Sequence, residues 1–378
     1  MIDALRALGV RCDDTVRNGT DTLLVTPAAL TGNVSIDCGL AGTVMRFVPP
    51  LATLATGDVT FDGDEGARRR PMATTIDSLR ALGVTVDDDG RGSLPFVVHG
   101  TGQVAGGSVA IDASASSQFV SGLLLAAPRF RDGLTLTHTG EHLPPMPHIE
   151  MTIACLRARG VSVSEPARGV WRVEPGPIAG IDIEMEPDLS NAAPFLAAAL
   201  VAGGSVTIPH WPTSTTQVGD DLGGYFEAFG ATVTRDERGL TVDGGRGVIG
   251  GAVLNGVSLD LSTGGELAPP LVALAALAST ASTFTGIAHL RGHETDRLAA
   301  LVAEINRLGG NATELPDGIH VEPAALHGGE WHSYHDHRMA TAGAIIGLAI
   351  DDVEVENIAT TSKTMPEFPE MWTAMLGR

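Results

Sequence analysis

Positive charge is scarce in this chain of 378 residues, whose formal net charge is −21, and lysine is nearly absent, Lys363 being the only one. Nucleic acid and anionic membrane surfaces both demand a basic face, so neither is expected as a partner. Cysteine is equally sparse. Cys12, Cys38 and Cys155 are odd in number and show no CxxC or CxxH spacing. That excludes a disulfide framework and a thiol-built zinc site, and points to reduced, buried thiols in a cytoplasmic protein. Long apolar runs are missing as well: AAPFLAAALVAGG (192–204) and LVALAALAST (271–280) are too short to span a bilayer and read as buried helices. The opening MIDALRALGVRCDD has no cationic segment leading into an apolar core, so no secretory signal is visible. With aromatics at only 4%, the chain is 43% apolar and holds 47 glycines, the profile of a soluble α/β or α+β protein packed with Ala, Leu and Val. At this length two domains are the natural expectation.

What is present is a repeat. IDSLRALGVTVDDDGRGSLPFVV, MTIACLRARGVSVSEPARGVWRV, YFEAFGATVTRDERGLTV and VAEINRLGGNATELPDGIHV share one plan, and IDALRALGVRCDDTVRNGTDTLLV is a further copy. An amphipathic helix ends at glycine, a strand follows, a polar turn reverses it, and a second strand returns. The glycines closing these helices are Gly9, Gly83, Gly160, Gly230 and Gly309, and Gly377 in MWTAMLGR is a sixth. Each supplies the left-handed stop that a helix C-terminus prefers. Six helix ends split three and three predict two similar domains, 1–185 and 186–378. The first copy begins inside its own helix, so its unit reads as incomplete; atypical end units are the other reading.

Several segments carry chemistry. CGLAGTVMRF (38–47) runs from glycines into an apolar stretch with Arg46 beside it, and backbone N–H groups at such a helix start suit an anion. DEGARRRPM (64–72) is either a solvated basic loop or an anion site. Ser116, Ser117 and Gln118 offer two hydroxyls and an amide ahead of an apolar run, either as a ligand rim or as helix caps. Glu266 stands at the mouth of an uncharged helix, as a dipole partner or as a base tuned by burial. Arg291, His293, Glu294, Asp296 and Arg297 crowd another helix start, and Lys363 precedes the last helix. WHSYHDHRMA (331–340) admits either a metal or something anionic. Cations placed at helix starts, against the local dipole, favour an anionic ligand.

In order and separation, GLAGTVMR, RRRP, ASSQF, HETDRL, YHDHRMA and SKTMPEF make the whole chain resemble the 5-enolpyruvylshikimate-3-phosphate (EPSP) synthase family. The resemblance implies an α/β fold of two domains, each of βαβαββ units about a pseudo-threefold axis, with the active site in the cleft between them. It implies transfer of the enolpyruvyl group of phosphoenolpyruvate to the 5-hydroxyl of shikimate 3-phosphate, releasing phosphate, with no metal or organic cofactor. This is a step of aromatic amino acid biosynthesis, and family members are commonly monomers. Carried over by residue, Gly42, Arg70, Gln118, Arg297, Arg338 and Lys363 would hold phosphoenolpyruvate. Ser116, Ser117, Gln118, Glu266 and His293 would hold shikimate 3-phosphate. Glu266 is the candidate base for the 5-hydroxyl, Glu294 works on C3 of phosphoenolpyruvate, and Lys363 is the third catalytic group. Arg46, Asp188, Arg291, Asp296, Asp336 and His337 support them from behind, the histidines of WHSYHDHRMA orienting neighbours rather than binding metal.

The pattern departs from the family at Leu40 and His289, where asparagine is usual, at His293, often lysine, and at Pro145, usually a serine that helps hold the shikimate phosphate. An N-terminal Gly-Ser-Lys-Ser type motif of the family has no counterpart. A catalytically dead homologue that keeps an anion-binding cleft is the alternative. The related UDP-N-acetylglucosamine enolpyruvyl transferase is disfavoured because no cysteine occupies the loop it relies on.

Overall fold

A computed structural model describes residues 1–17 and 19–377. The chain divides into two compact units, Met1–Asp182 and Ile183–Arg378. The division falls three residues ahead of the boundary read from the repeat.

The first unit contains two four-stranded sheets of identical plan. In one, Val34–Asp37 runs parallel to Thr56–Asp62, which pairs antiparallel with Phe96–Thr101, which in turn pairs with Thr85–Asp87. In the other, Gly107–Ile111, Leu134–His138, Val170–Val173 and Val163–Ala167 repeat that order. The parallel pairs are bridged by the helices Gly42–Ala52 and Gln118–Ala126, as parallel strands need a crossover. The first hairpin, Arg11–Arg17 with Thr20–Thr26, forms a sheet of its own. Alternation sets the faces: Val59 and Phe61 are fully buried while their chain neighbours are not.

The second unit repeats the plan once in full, with Ser258–Asp260, Ser282–Thr285, Gly318–Glu322 and Asn311–Leu315. A three-stranded sheet (Ser205–Ile208, Gly239–Asp243, Thr232–Asp236) and a parallel pair (Gly329–Trp331, Val353–Val355) complete it. The two apolar runs are the helices Leu189–Ala202 and Ala268–Ala276, and both are buried nearly all round. No helix among the described residues is long and apolar enough to cross a membrane. Each unit has its own hydrophobic core.

All six glycines read as helix stops have positive φ, from 68° at Gly377 to 110° at Gly230. A side chain there would meet the Cβ clash that disfavours left-handed backbone. Close approach explains two others. A Cβ on Gly122 would lie 2.3 Å from the Arg46 carbonyl oxygen on the neighbouring helix, and one on Gly343 would lie 2.5 Å from the Trp331 ring.

One expectation is corrected. Cys12 and Cys38 are buried, but Cys155 is exposed. It sits on helix Met146–Ala158, whose core-facing positions are Ile149, Thr152, Ile153 and Leu156. That spacing turns residue 155 outward.

Candidate active site

The residues singled out fall into two groups, one in each unit. In the first unit the helix Gly42–Ala52 begins at Gly42, where backbone N–H groups have no intrahelical acceptor. A Cβ on Gly42 would lie 2.9 and 3.0 Å from the two terminal nitrogens of Arg70 and 3.2 Å from Oε1 of Gln118. Backbone, guanidinium and amide therefore converge on one spot. Arg46, buried in its helix, donates to Gln118 Oε1 at 2.7 Å and lies 4.9 Å over the Phe119 ring. With its oxygen turned to Arg46, the amide of Gln118 presents its nitrogen elsewhere, as a donor.

The basic loop resolves into two functions. Arg68 pairs bidentately with Asp62 at 2.8 and 2.7 Å, and Arg69 pairs with Glu65 at 2.6 Å, both on the solvated face. Arg70 instead donates to the Leu40 carbonyl at 3.3 Å and faces Gly42. The serines divide likewise. Ser116 Oγ accepts from the Gln118 amide N–H at 3.3 Å, a local capping contact, whereas the buried Ser117 makes no side-chain cap.

In the second unit, helix Arg297–Arg307 starts after Asp296, which accepts from the Ala299 N–H at 3.1 Å. Helix His337–Ile346 starts after Asp336, which accepts from the Arg338 N–H at 2.9 Å. Both caps are the acidic side chains that satisfy the first turn. Asp336 is fully buried and also receives Arg297 Nε at 2.7 Å and Nη2 at 3.1 Å. Arg297 reaches Glu294 Oε2 at 2.9 Å, and the other Glu294 oxygen receives Lys363 Nζ. His293 Nδ1 stands 3.4 Å from Arg297 Nη1. Glu294 is thus held between the only lysine and a buried arginine.

Arg338 differs in its partners. Its Nη1 donates to the Glu266 carbonyl at 3.0 Å and its Nη2 to Ser190 Oγ at 3.1 Å, both neutral oxygens. Ser190 Oγ in turn bonds Asp188, the cap of helix Leu189–Ala202, at 2.8 Å. Electrostatics separate the two arginines. Burial acts to lower the Arg297 pKa, but Asp336 and Glu294 outweigh it and raise the net value. Burial and then the charge of Arg297 hold Arg338 below the ordinary arginine value, against Glu266, Asp188 and Asp336. A half-buried guanidinium pushed this way is stabilised by an added anion. His337 is buried beside it and is driven down to about 3, first by burial and then by Arg338.

Arg291 faces away from this cluster. It bonds Glu314, Asp296 at 3.3 Å and the Leu315 carbonyl at 3.0 Å, tying the helix start to the neighbouring hairpin. Ser190 was not anticipated from the sequence. Its signal was weak, a serine two places after a capping aspartate.

Residues 1–372 match the family profile described as EPSP synthase (3-phosphoshikimate 1-carboxyvinyltransferase). The chain belongs to the EPSP synthase family. The 3-phosphoshikimate 1-carboxyvinyltransferase of Kocuria rhizophila is 59% identical over 345 residues, spanning 91% of this chain and 76% of that protein. Two EPSP synthase structures from Acinetobacter baumannii match in fold, with TM-scores of 0.77 and 0.76 at 24% and 23% identity; each comparison covers 99% of this chain and 86% of the other. The two-unit α/β architecture is therefore that of EPSP synthases, and the repeated sheet plan is its local expression.

Proposed function

We propose that this chain is a 3-phosphoshikimate 1-carboxyvinyltransferase that moves the enolpyruvyl group of phosphoenolpyruvate onto the 5-hydroxyl of shikimate 3-phosphate and releases phosphate. Family membership supports the reaction class. The single structural observation that carries the site is Arg338, a half-buried guanidinium with neutral hydrogen-bond partners beside the Arg297–Glu294–Lys363 cluster.

In this reading Gly42, Arg70, Gln118, Arg297, Arg338 and Lys363 hold phosphoenolpyruvate. Charge-assisted bonds of this kind contribute roughly 1.5–3 kcal/mol each. Ser116, Ser117, Gln118, Glu266 and His293 hold shikimate 3-phosphate. Glu266 accepts the proton of the 5-hydroxyl as its oxygen attacks C2 of phosphoenolpyruvate, while Glu294 delivers a proton to C3. Elimination reverses the second transfer: Glu294 removes a proton from C3, the C2–O bond to phosphate breaks, and phosphate departs. Lys363 and Arg297 stabilise the Glu294 carboxylate whenever it has given up its proton. Asp188, Asp296, Asp336, Arg46 and His337 fix these groups from behind, and Arg291 anchors Asp296. Cys38 fits no nucleophilic role, since burial, then Asp37 and Asp62, push its thiol up to about 12.

The protein is proposed to work as a monomer in the cytoplasm, without metal or organic cofactor. The test is phosphate release by the chain supplied with both substrates. Turnover requiring both, and lost in Arg338→Ala with the fold intact, is the expected result. Absence of phosphate release by the folded chain would overturn the assignment.

A further inference from the structure

The turn that delivers Asp336 and Arg338 is unusual. Between strand Gly329–Trp331 and helix His337–Ile346, Tyr334 and His335 both adopt left-handed backbone, with φ of 54° and 56°. Two successive non-glycine residues in that region are strained and persist only where the surroundings enforce it. Glu356 accepts from the Ser333 N–H at 3.2 Å, and the principal enforcing group is Glu304. It is fully buried, yet carries a carboxylate and lies outside the cluster described above. Its Oε1 accepts from Tyr334 Oη at 2.6 Å and its Oε2 from the His332 N–H at 3.0 Å, so it grips the turn at two points. Arg307 Nε, at 3.0 Å from Oε2, balances its charge.

Glu304 stands seven residues after Arg297 on the same helix, and therefore on the same face. One helix face thus holds both ends of the turn, Arg297 through Asp336 and Glu304 through Tyr334 and His332. An apolar side chain would fill this position without the desolvation penalty of a carboxylate. A requirement on the turn accounts for the charge.

We infer that Glu304, acting through Tyr334 and the His332 N–H, is a positioning residue that sets the backbone of 332–336 and thereby the placement of Asp336 and Arg338. The inference rests on the proposed role of Arg338 toward phosphoenolpyruvate. It also makes a claim about the turn that is independent of substrate.

Tyr334→Phe is the discriminating variant, because it deletes one hydroxyl and leaves Glu304 its Arg307 and His332 partners. Glu304→Gln is the second, keeping the shape and removing the charge. Hydrogen exchange on the substrate-free chain is expected to show protection of the 332–338 amides falling by roughly tenfold in each, the scale of one lost hydrogen bond to a charged group, with other segments unchanged. In turnover, KM for phosphoenolpyruvate is expected to rise by about tenfold while KM for shikimate 3-phosphate stays within about twofold. Unchanged exchange at 332–338 in both variants would overturn the inference. So would equal losses for both substrates, or a uniform loss of protection across the unit, since a purely structural Glu304 predicts those. If the wild-type chain fails to turn over while the exchange result holds, the functional reading fails and the positioning of the turn stands.

Discussion

Replacing Asp336 with asparagine isolates the strongest electrostatic commitment in the second unit. The carboxylate is fully buried and takes two hydrogen bonds from Arg297, itself only 2% exposed, and one from the Arg338 N–H. Asparagine keeps the volume and one acceptor, but its NH2 turns a donor toward a guanidinium donor and the charge is lost. Breaking a buried pair by removing one partner costs about 3–5 kcal/mol. Arg297 retains Glu294 at 2.9 Å, which places the effect at the lower end, about 3 kcal/mol. For a unit of this size that lowers Tm by about 6–12 °C. Calorimetric scans of Asp336→Asn beside the wild-type chain at neutral pH measure it. The pH dependence supplies a second check. Burial acts to raise the Asp336 pKa, but Arg297 outweighs it, leaving the folded value below the ordinary 3.8. A depressed carboxylate contributes stability that is present above its unfolded pKa and lost as pH falls through the folded one. The gap between wild type and variant is therefore constant above about pH 4 and narrows in acid. A Tm change under about 2 °C, or a gap that widens below pH 4, would refute the reasoning.

His337 makes an acid prediction of the same sign, over a higher pH range. It is held neutral with a pKa near 3 by burial and by Arg338, so the unfolded chain takes up its proton first as pH drops below about 6.5. The native state loses about 2 kcal/mol from this group by pH 5, and His337→Gln should flatten the stability slope between pH 6.5 and 5; parallel slopes in denaturant titrations would contradict it. Gly42→Ala should leave Tm nearly unchanged, because alanine suits a helix better by up to about 1 kcal/mol, while its Cβ displaces Arg70 and Gln118. KM for phosphoenolpyruvate is expected to rise about tenfold or more, and an unchanged KM would remove Gly42 from the site.

Much of the fold is legible in the residues themselves. Helix-closing glycines report a backbone requirement that is local, since left-handed φ is permissive only without a Cβ, and all six take it. The apolar runs 192–204 and 271–280 likewise had to be buried, whatever surrounds them. Facing is a different matter. The side of helix Met146–Ala158 that meets the core is set by what packs there, so Cys155, apolar by type, lies outside. Of three consecutive arginines only Arg70 turns to Gly42, because Asp62 and Glu65 capture the other two.

By itself the sequence determined the repeat, the helix ends, the family, and the segments that carry charge into helix starts, because each depends on residue type and spacing along the chain. Only the tertiary structure decided which charges meet. That Asp336 is shared by Arg297 and the first turn of its own helix, that Arg338 ends on Ser190 and a carbonyl, and that Glu304 grips the turn between them depend on contacts between segments far apart in sequence. Burial sets the strength of those contacts, and burial belongs to the packed molecule.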